Sequence, residues 1–214
     1  MEYIRIEDLT KKIKGKIILN SVNLEIQKNT VTLIVGENGS GKTMLLRSIA
    51  GLIRPSEGSI WIDNKPMIFN EAYPVSLGIC IDQTGMQYNQ TGYENLRFLA
   101  DINKKIGDEE IYSYMKTFDI YKAKDIKYKK YSLGMKKKLS IIQAIMEDQE
   151  LILFDEPMNG LDKNTMKVFR DVIERLKNEG KTIIIVTHKP QLFTDITDNI
   201  FEIYEGNLSV ADEV

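Results

Sequence analysis

The chain has 214 residues, of which 43% are hydrophobic and 28% charged, and its formal net charge is -2. A length and composition of this kind suit one globular domain. The slightly negative net charge disfavours nucleic acid as a partner, because nucleic-acid-binding domains are usually basic. The single cysteine, Cys80, excludes an internal disulfide.

Alternating and apolar segments predict β structure in the first third of the chain. Residues 3–9 and 22–26 alternate between apolar and polar side chains, as half-buried strands do. Residues 30–35 are almost all β-branched or apolar, which is typical of a strand buried in a parallel sheet. A glycine-rich segment, residues 36–41, follows, and a helix that ends at Gly51 is predicted after it.

Helical spacing dominates the middle of the chain. The first helix of this region carries apolar residues at Leu96, Leu99, Ile102 and Ile106. Asp108 and Ser132 are suited to cap a second and a third helix. The elements predicted after these helices are a strand at 151–154, a helix at 163–178, a strand at 182–186 and a hairpin at 201–210.

Together these elements predict a single α/β domain. Strands and helices alternate in its core, which comprises residues 1–85 and 149–214 and includes an antiparallel β subdomain near the N-terminus. Three successive helices interrupt that alternation, so residues from about 86 to 148 are expected to form an inserted α-helical subdomain.

Residues 36–43 match the phosphate-binding pattern G-x-x-x-x-G-K-[ST] in full, directly after a buried strand and before a helix. The glycines let the backbone curl so that its N–H groups point at phosphate, and the helix N-terminus adds its positive dipole end. Lys42 would reach the β- and γ-phosphates, and Thr43 would offer a hydroxyl to Mg²⁺. The eight residues expected to bind nucleotide are Gly36, Glu37, Asn38, Gly39, Ser40, Gly41, Lys42 and Thr43.

The strand at 151–154 ends in two carboxylates. Asp155 is expected to bind Mg²⁺, directly or through water. Glu156 would point the other way in an extended chain, where it could hold an attacking water and take its proton.

Further motifs make the chain resemble the nucleotide-binding subunits of ABC transporters. Ser132-Leu133-Gly134-Met135-Lys136 resembles the signature of that family, usually LSGGQ, in the SLGMK form common among export-type transporters. Gln83 follows an apolar run, where the family's Q-loop glutamine lies. Gly160-Leu161-Asp162 stands where the D-loop lies, and His188, the sole histidine, stands where the switch histidine lies.

The resemblance implies an ABC ATPase with a P-loop NTPase core that binds and hydrolyses ATP with Mg²⁺. Lys42, Thr43, Asp155 and Gln83 would hold the nucleotide and the metal. Glu156, His188 and Gln83 would be the catalytic residues, with Glu156 activating water and His188 contacting the γ-phosphate.

In this family two subunits pair head to tail, so each ATP lies between the phosphate loop of one chain and the signature of the other. Ser132 and Gly134 would therefore complete the site of a second subunit, and Asp162 would couple the two sites. Both halves of the site look intact, so a homodimer is the simpler expectation.

Two departures from the family pattern stand out. Ile13 occupies the position of the usual aromatic residue that stacks on adenine. Base binding should therefore rely on apolar contact and be less selective for adenine. Leu133 and Met135 replace small or polar signature residues, while Ser132 and Gly134 are kept, and catalysis is expected to survive.

The resemblance implies a subunit that energises a separate integral membrane permease, with export of antimicrobial peptides, drugs or ions favoured over import. No apolar stretch approaches the roughly 20 residues of a membrane span, and residues 1–5 lack a signal-peptide pattern. We therefore expect the chain on the cytoplasmic face of the membrane, attached through the permease.

No nucleic acid partner is expected, although lysines cluster near the signature, because a solvated face is the commoner role of such a cluster.

Two other functions compete with this interpretation. A soluble ABC-type ATPase of translation or DNA repair is disfavoured by the chain's size, because repair relatives carry long coiled-coil insertions and translation relatives carry two such domains. A P-loop kinase would need a lid for an acceptor substrate and gives no reason for a signature at Ser132.

Overall fold

The computed structural model describes residues 2–81 and 85–211, which form two β sheets and a set of helices. The strands are β1 (Glu2–Ile13), β2 (Lys16–Gln27), β3 (Val31–Val35), β4 (Glu57–Ile62), β5 (Lys65–Pro66), β6 (Leu77–Cys80), β7 (Leu151–Asp155), β8 (Thr182–Thr187), β9 (Asn199–Tyr204) and β10 (Asn207–Val210). The α-helices are α1 (Lys42–Ile49), α2 (Gly92–Asn103), α3 (Asp108–Thr117), α4 (Leu133–Ile145) and α5 (Lys163–Asn178). This mixed architecture confirms the predicted α/β class.

The N-terminal sheet is antiparallel, with strand order β2-β1-β4-β5. Lys14 and Gly15 close the hairpin between β1 and β2 with φ angles of 48° and 80°, the left-handed values that two-residue hairpin turns use. Apolar side chains of this sheet join β3 and α1 in one buried cluster. The short strand β5, which pairs with β4, is not indicated by any pattern in the sequence.

The second sheet has the order β10-β9-β3-β8-β7-β6, and its strands from β9 to β6 run parallel. Strands β3, β7 and β8 are buried along their whole length, as strands covered on both faces are. The register pairs Val35 with Thr187 and Asp155 with Val186. The segments that follow these three strands therefore emerge at one edge of the sheet, which is where ligands bind in open α/β folds.

Helices α2, α3 and α4 follow one another between β6 and β7. Their inner faces bury Leu96, Ile111, Met115, Leu139, Ile142 and Ile145. Ile102, which has helical spacing with these residues in the sequence, is instead 66% exposed. Among the residues described, no helix combines the length and apolar character that a bilayer span requires.

The prediction that Asp108 caps α3 is wrong. Gly107 occupies the N-cap position, and Asp108 is the first residue of the helix. The Asp108 carboxylate instead accepts hydrogen bonds from the Tyr93 hydroxyl at 2.9 Å and from Arg97 at 3.0 Å, which tie α3 to α2.

Candidate functional site

The loop between β3 and α1 has a backbone path that only glycine permits at two positions. Gly36 has φ of 147°, and a Cβ there would lie 2.3 Å from the carbonyl oxygen of Ile203. Gly41 has φ of 117°, and its Cβ would lie 3.0 Å from the carbonyl oxygen of Ile18. A side chain at either position would displace the loop, so the two glycines permit its curl, and backbone N–H groups in such a curl can bind an anion.

Lys42, the first residue of α1, is a buried lysine whose ammonium lies inside the curl of this loop. Its Nζ donates hydrogen bonds to the carbonyl oxygens of Gly36 at 2.7 Å and Glu37 at 2.6 Å. Burial lowers the pKa of the Lys42 ammonium, while the negative charges of Glu156, Asp155 and Glu37 act in the opposite direction. The ammonium is thus held among acceptors that a phosphate oxygen could replace.

Thr43 and Asp155 come together although they are far apart in the sequence. The Thr43 hydroxyl donates a hydrogen bond of 2.8 Å to Oδ2 of Asp155 at the end of β7. A hydroxyl and a carboxylate are the hard oxygen donors that suit Mg²⁺, which is usually held by one or two carboxylates together with phosphates and water. The described residues contain no group of three or more His, Cys, Asp or Glu side chains arranged for a metal.

Glu156 and His188 form the second contact at this edge of the sheet. Oε1 of Glu156 lies 2.7 Å from Nδ1 of His188, which follows β8 directly. The expectation that Glu156 continues in an extended chain is wrong, because its φ is 45°, a left-handed value. The chain therefore turns at Glu156, and the turn brings its carboxylate to the histidine.

Part of the glycine-rich loop, the start of α1 and the two carboxylates line a cleft of about 230 Å³, whereas His188 lies outside its lining. Its walls are formed by Ile18, Asn38, Gly39, Gly41, Lys42, Thr43, Met44, Asp155 and Glu156. Ile18 lines the cleft although no pattern in the sequence indicates it, because Ile17, Ile18 and Leu19 are consecutive apolar residues without alternation. It supplies the cleft with an apolar surface beside the glycine-rich loop.

Ile13 belongs to the same face of the β1–β2 hairpin as Ile18. It pairs directly with Lys16, and Lys16 and Ile18 share a face because they are two residues apart in β2. Ile13 is 39% exposed and does not line the cleft itself. A nucleotide base that extended from the cleft along this face would meet two isoleucines.

The signature residues do not line the cleft of their own chain. Ser132 caps α4, and its hydroxyl accepts a hydrogen bond from the Met135 N–H at 3.2 Å. Gly134 lies against the segment after β7, since a Cβ at this position would be 2.9 Å from the carbonyl oxygen of Gly160. The N-terminal end of α4 is therefore packed on the D-loop segment rather than on the phosphate loop.

Asp162 ends this segment as the N-cap of α5. Its carboxylate accepts hydrogen bonds from the backbone N–H of Thr165 at 2.9 Å and from the Thr165 hydroxyl at 2.7 Å. The first of these bonds is the main cause that lowers the pKa of Asp162. Lys138 of α4 lies 3.9 Å from the same carboxylate. Gln83, the remaining predicted site residue, lies outside the described residues.

Comparisons with known proteins agree with this geometry. A model of the ABC transporter family matches residues 19–159. The uncharacterized ABC transporter ATP-binding protein YybJ of Bacillus subtilis is 35% identical over 99% of this chain and 97% of that protein. The bacitracin transport ATP-binding protein BcrA of Enterococcus faecalis is 34% identical over 97% of this chain and 68% of that protein.

A solved structure shares the fold. The ATP-binding cassette MJ0796, in a dimeric post-hydrolysis state bound to ADP and Pi, matches with a TM-score of 0.85 at 23% identity, over 99% of this chain and 100% of that one. The match extends over both sheets and the helices between them. With a family model matching residues 19–159 and a relative 35% identical along nearly its whole length, the chain belongs to the ABC transporter family as an ATP-binding, ATP-hydrolysing subunit.

Proposed function

We propose that this subunit powers a separate integral membrane permease, that it works on the cytoplasmic face of the membrane as a homodimer, and that the cargo is exported. The observation that carries the proposal is that the predicted ATP-binding residues of one chain lie in two separate places. The cleft brings together the phosphate loop, Asp155 and Glu156, while Ser132 and Gly134 lie outside it on another part of the same chain. Such a site becomes complete when the signature of a second subunit covers the cleft.

The residues of one chain would bind and orient ATP. The backbone of residues 36–43 and Lys42 would bind the phosphates, and Thr43 and Asp155, with Gln83, would hold Mg²⁺. When bound, Mg²⁺ neutralises charge on the phosphate oxygens. The hydroxyl–carboxylate pair of Thr43 and Asp155, 2.8 Å apart, supports this assignment.

Glu156 would act on the water. Its carboxylate would accept a proton as the water oxygen attacks the γ-phosphorus and the bond to the ADP oxygen breaks. His188, hydrogen-bonded to Glu156 at 2.7 Å, would orient that carboxylate and contact the γ-phosphate. Ser132 and Gly134 of the opposite subunit would add helix N-terminal N–H groups, and Asp162 would couple the sites.

Export of an antimicrobial peptide, drug or ion fits the SLGMK signature, and the relative BcrA is named for bacitracin transport. The permease would dock on the helices between β6 and β7. The exposed side chains of Phe98 and Ile102, 57% and 66% exposed, lie on one face of α2 because they are four residues apart. This pair is a suitable apolar contact for a membrane subunit.

The test is to tag this chain in its native cell, solubilise membranes in mild detergent and identify the proteins that co-purify. A stoichiometric protein with several membrane spans is the expected result, and Phe98→Asp should reduce its recovery. Val210→Asp, at a residue 72% exposed on β10, is the matched control and should leave recovery unchanged. Recovery from the soluble fraction alone, with ribosomes, DNA or no partner, would contradict the transporter role and leave the ATPase assignment intact.

A further inference from the structure

The peptide unit that joins Asp155 to Glu156 is held from both sides. Its N–H, which belongs to Glu156, donates a hydrogen bond of 2.9 Å to the Val186 carbonyl of β8. Its carbonyl, which belongs to Asp155, accepts a hydrogen bond of 3.0 Å from Nζ of Lys137. A planar trans peptide points these two groups in opposite directions, so β8 and Lys137 fix one plane between them.

Lys137 reaches this carbonyl from inside the protein. It stands on α4, one turn before the buried Ile141, and only 9% of its surface is exposed. The paired residues of β6 and β7 end at Cys80 and Phe154, so the ammonium contacts the carbonyl one residue beyond that last pair. A charged donor in so buried a position makes a stronger hydrogen bond than a neutral one.

The two hydrogen bonds hold the peptide next to Glu156, a residue whose backbone is strained. Glu156 has φ of 45°, a conformation that non-glycine residues rarely adopt and keep only when their surroundings determine it. The φ rotation of Glu156 starts from the nitrogen of the peptide that Lys137 and Val186 hold. Freeing the carbonyl would let that peptide tilt and would move the carboxylate that His188 orients.

We propose that Lys137 is a positioning residue for ATP hydrolysis: its ammonium fixes the Asp155–Glu156 peptide and so aims the Glu156 carboxylate. The inference rests on the role proposed above for Glu156. In this proposal α4 has two roles. It presents Ser132 to the ATP of the opposite subunit, and through Lys137 it is hydrogen-bonded to the end of β7 in its own chain. A shift of α4 would therefore displace the Asp155–Glu156 peptide and with it the Glu156 carboxylate.

The test is a kcat and KM comparison of purified variants. Lys137→Met keeps the length and apolar stem of the side chain but removes the donor, and kcat should fall by about tenfold while KM for ATP changes less than about twofold, as expected when a reacting group is displaced by a fraction of an ångström. Lys137→Arg restores a charged donor and should recover most of the lost kcat. If Lys137→Met does not fold, Lys137→Gln, a shorter neutral donor, takes its place with the same expected kcat loss.

Lys181 provides the matched control. It is 8% exposed, and its Nζ donates a hydrogen bond of 3.2 Å to the backbone carbonyl of Asp148, at the opposite end of the sheet. Lys181→Met should leave kcat unchanged. The proposal is overturned if Lys137→Met keeps kcat within twofold of wild type, if Lys137→Arg fails to recover it, or if Lys181→Met loses as much. The role of Glu156 is judged separately, because unchanged turnover in Glu156→Gln would remove it as the base whatever Lys137 does.

Discussion

Nδ1 of His188 lies 2.7 Å from Oε1 of Glu156, and this contact joins the ends of the neighbouring strands β7 and β8. The two residues are brought together by the register that pairs Asp155 with Val186 and by the turn of the chain at Glu156. A carboxylate held in this way has a defined direction before any substrate binds.

Loss of the histidine should slow the chemical step rather than nucleotide binding. His188→Ala leaves the Glu156 carboxylate without its imidazole partner, and kcat should fall by about tenfold or more, since general acid–base groups contribute about 10²–10⁴-fold in all. KM for ATP should change little. Steady-state phosphate release measures both quantities, and His188→Gln, which keeps a hydrogen-bonding group, should be less impaired. A kcat equal to that of wild type in His188→Ala would exclude an orienting role.

The phosphate loop and the acidic strand end could be located from sequence because each is a local pattern in a required context. A full G-x-x-x-x-G-K-[ST] match between a strand and a helix predicts the positions of Lys42 and Thr43. A buried strand that ends in Asp155 predicts the position of the acidic residues of the site. The cap at Ser132 was equally local, and the structure confirms it. The cap of α3 lies one position earlier than predicted, because Gly107 occupies the N-cap position without a side-chain bond.

Contacts that depend on strand register or on a backbone turn could not be predicted. The left-handed φ of Glu156 breaks the alternation rule that placed its side chain on the opposite face from Asp155. The lysine cluster near the signature, residues 127–138, includes Lys137, and the prediction of a solvated face is wrong for this residue because it is buried. Its spacing of four residues from Ile141 was the signal that it lies on the buried face of α4.

Removal of the Thr43 hydroxyl should raise the Mg²⁺ requirement. Thr43→Val keeps the shape of the side chain but loses the oxygen that contacts Asp155. Changes to the outer partners of metal ligands alone cost about 10–100-fold in metal affinity, so the concentration of Mg²⁺ for half-maximal ATP hydrolysis should rise by at least about tenfold. Thr43→Ser retains the hydroxyl and should titrate close to wild type. An unchanged Mg²⁺ titration in Thr43→Val would contradict the metal assignment.

An aromatic side chain on the open face of the hairpin should tighten base binding. Ile13→Tyr places a ring on the face that Ile18 shares, and aromatic pairs add about 0.5–1.5 kcal/mol, so KM for ATP should fall by about 2–10-fold. The matched control is Ile17→Tyr, which adds the same ring at a residue 48% exposed on the other face of β2. Equal effects of the two variants, or none from Ile13→Tyr, would remove Ile13 from the base site.

The charge of Asp162 should make folding stability depend on pH at the acid end. Its pKa in the folded protein is lowered, first by the hydrogen bond from the Thr165 N–H. A carboxylate with a lowered folded pKa stabilises the fold above its unfolded pKa, near pH 4, and that stabilisation is lost as the pH falls through the folded value. Asp162→Asn keeps a capping oxygen without the charge. Its melting temperature should be lower than that of wild type at neutral pH and equal to it at the lowest pH where both fold, and a constant difference across this range would contradict the assignment.

The most direct test of the account is the mass of Glu156→Gln in solution with ATP and with ADP, measured by light scattering. The divided site predicts a monomer with ADP and a dimer with ATP, because Ser132 and Gly134 of one chain would bind the γ-phosphate held by the other and the slowed turnover would preserve it. Ser132→Ala together with Glu156→Gln should weaken that dimer. A monomer under every condition, with ATP binding intact, would contradict a site completed by a second copy of this chain.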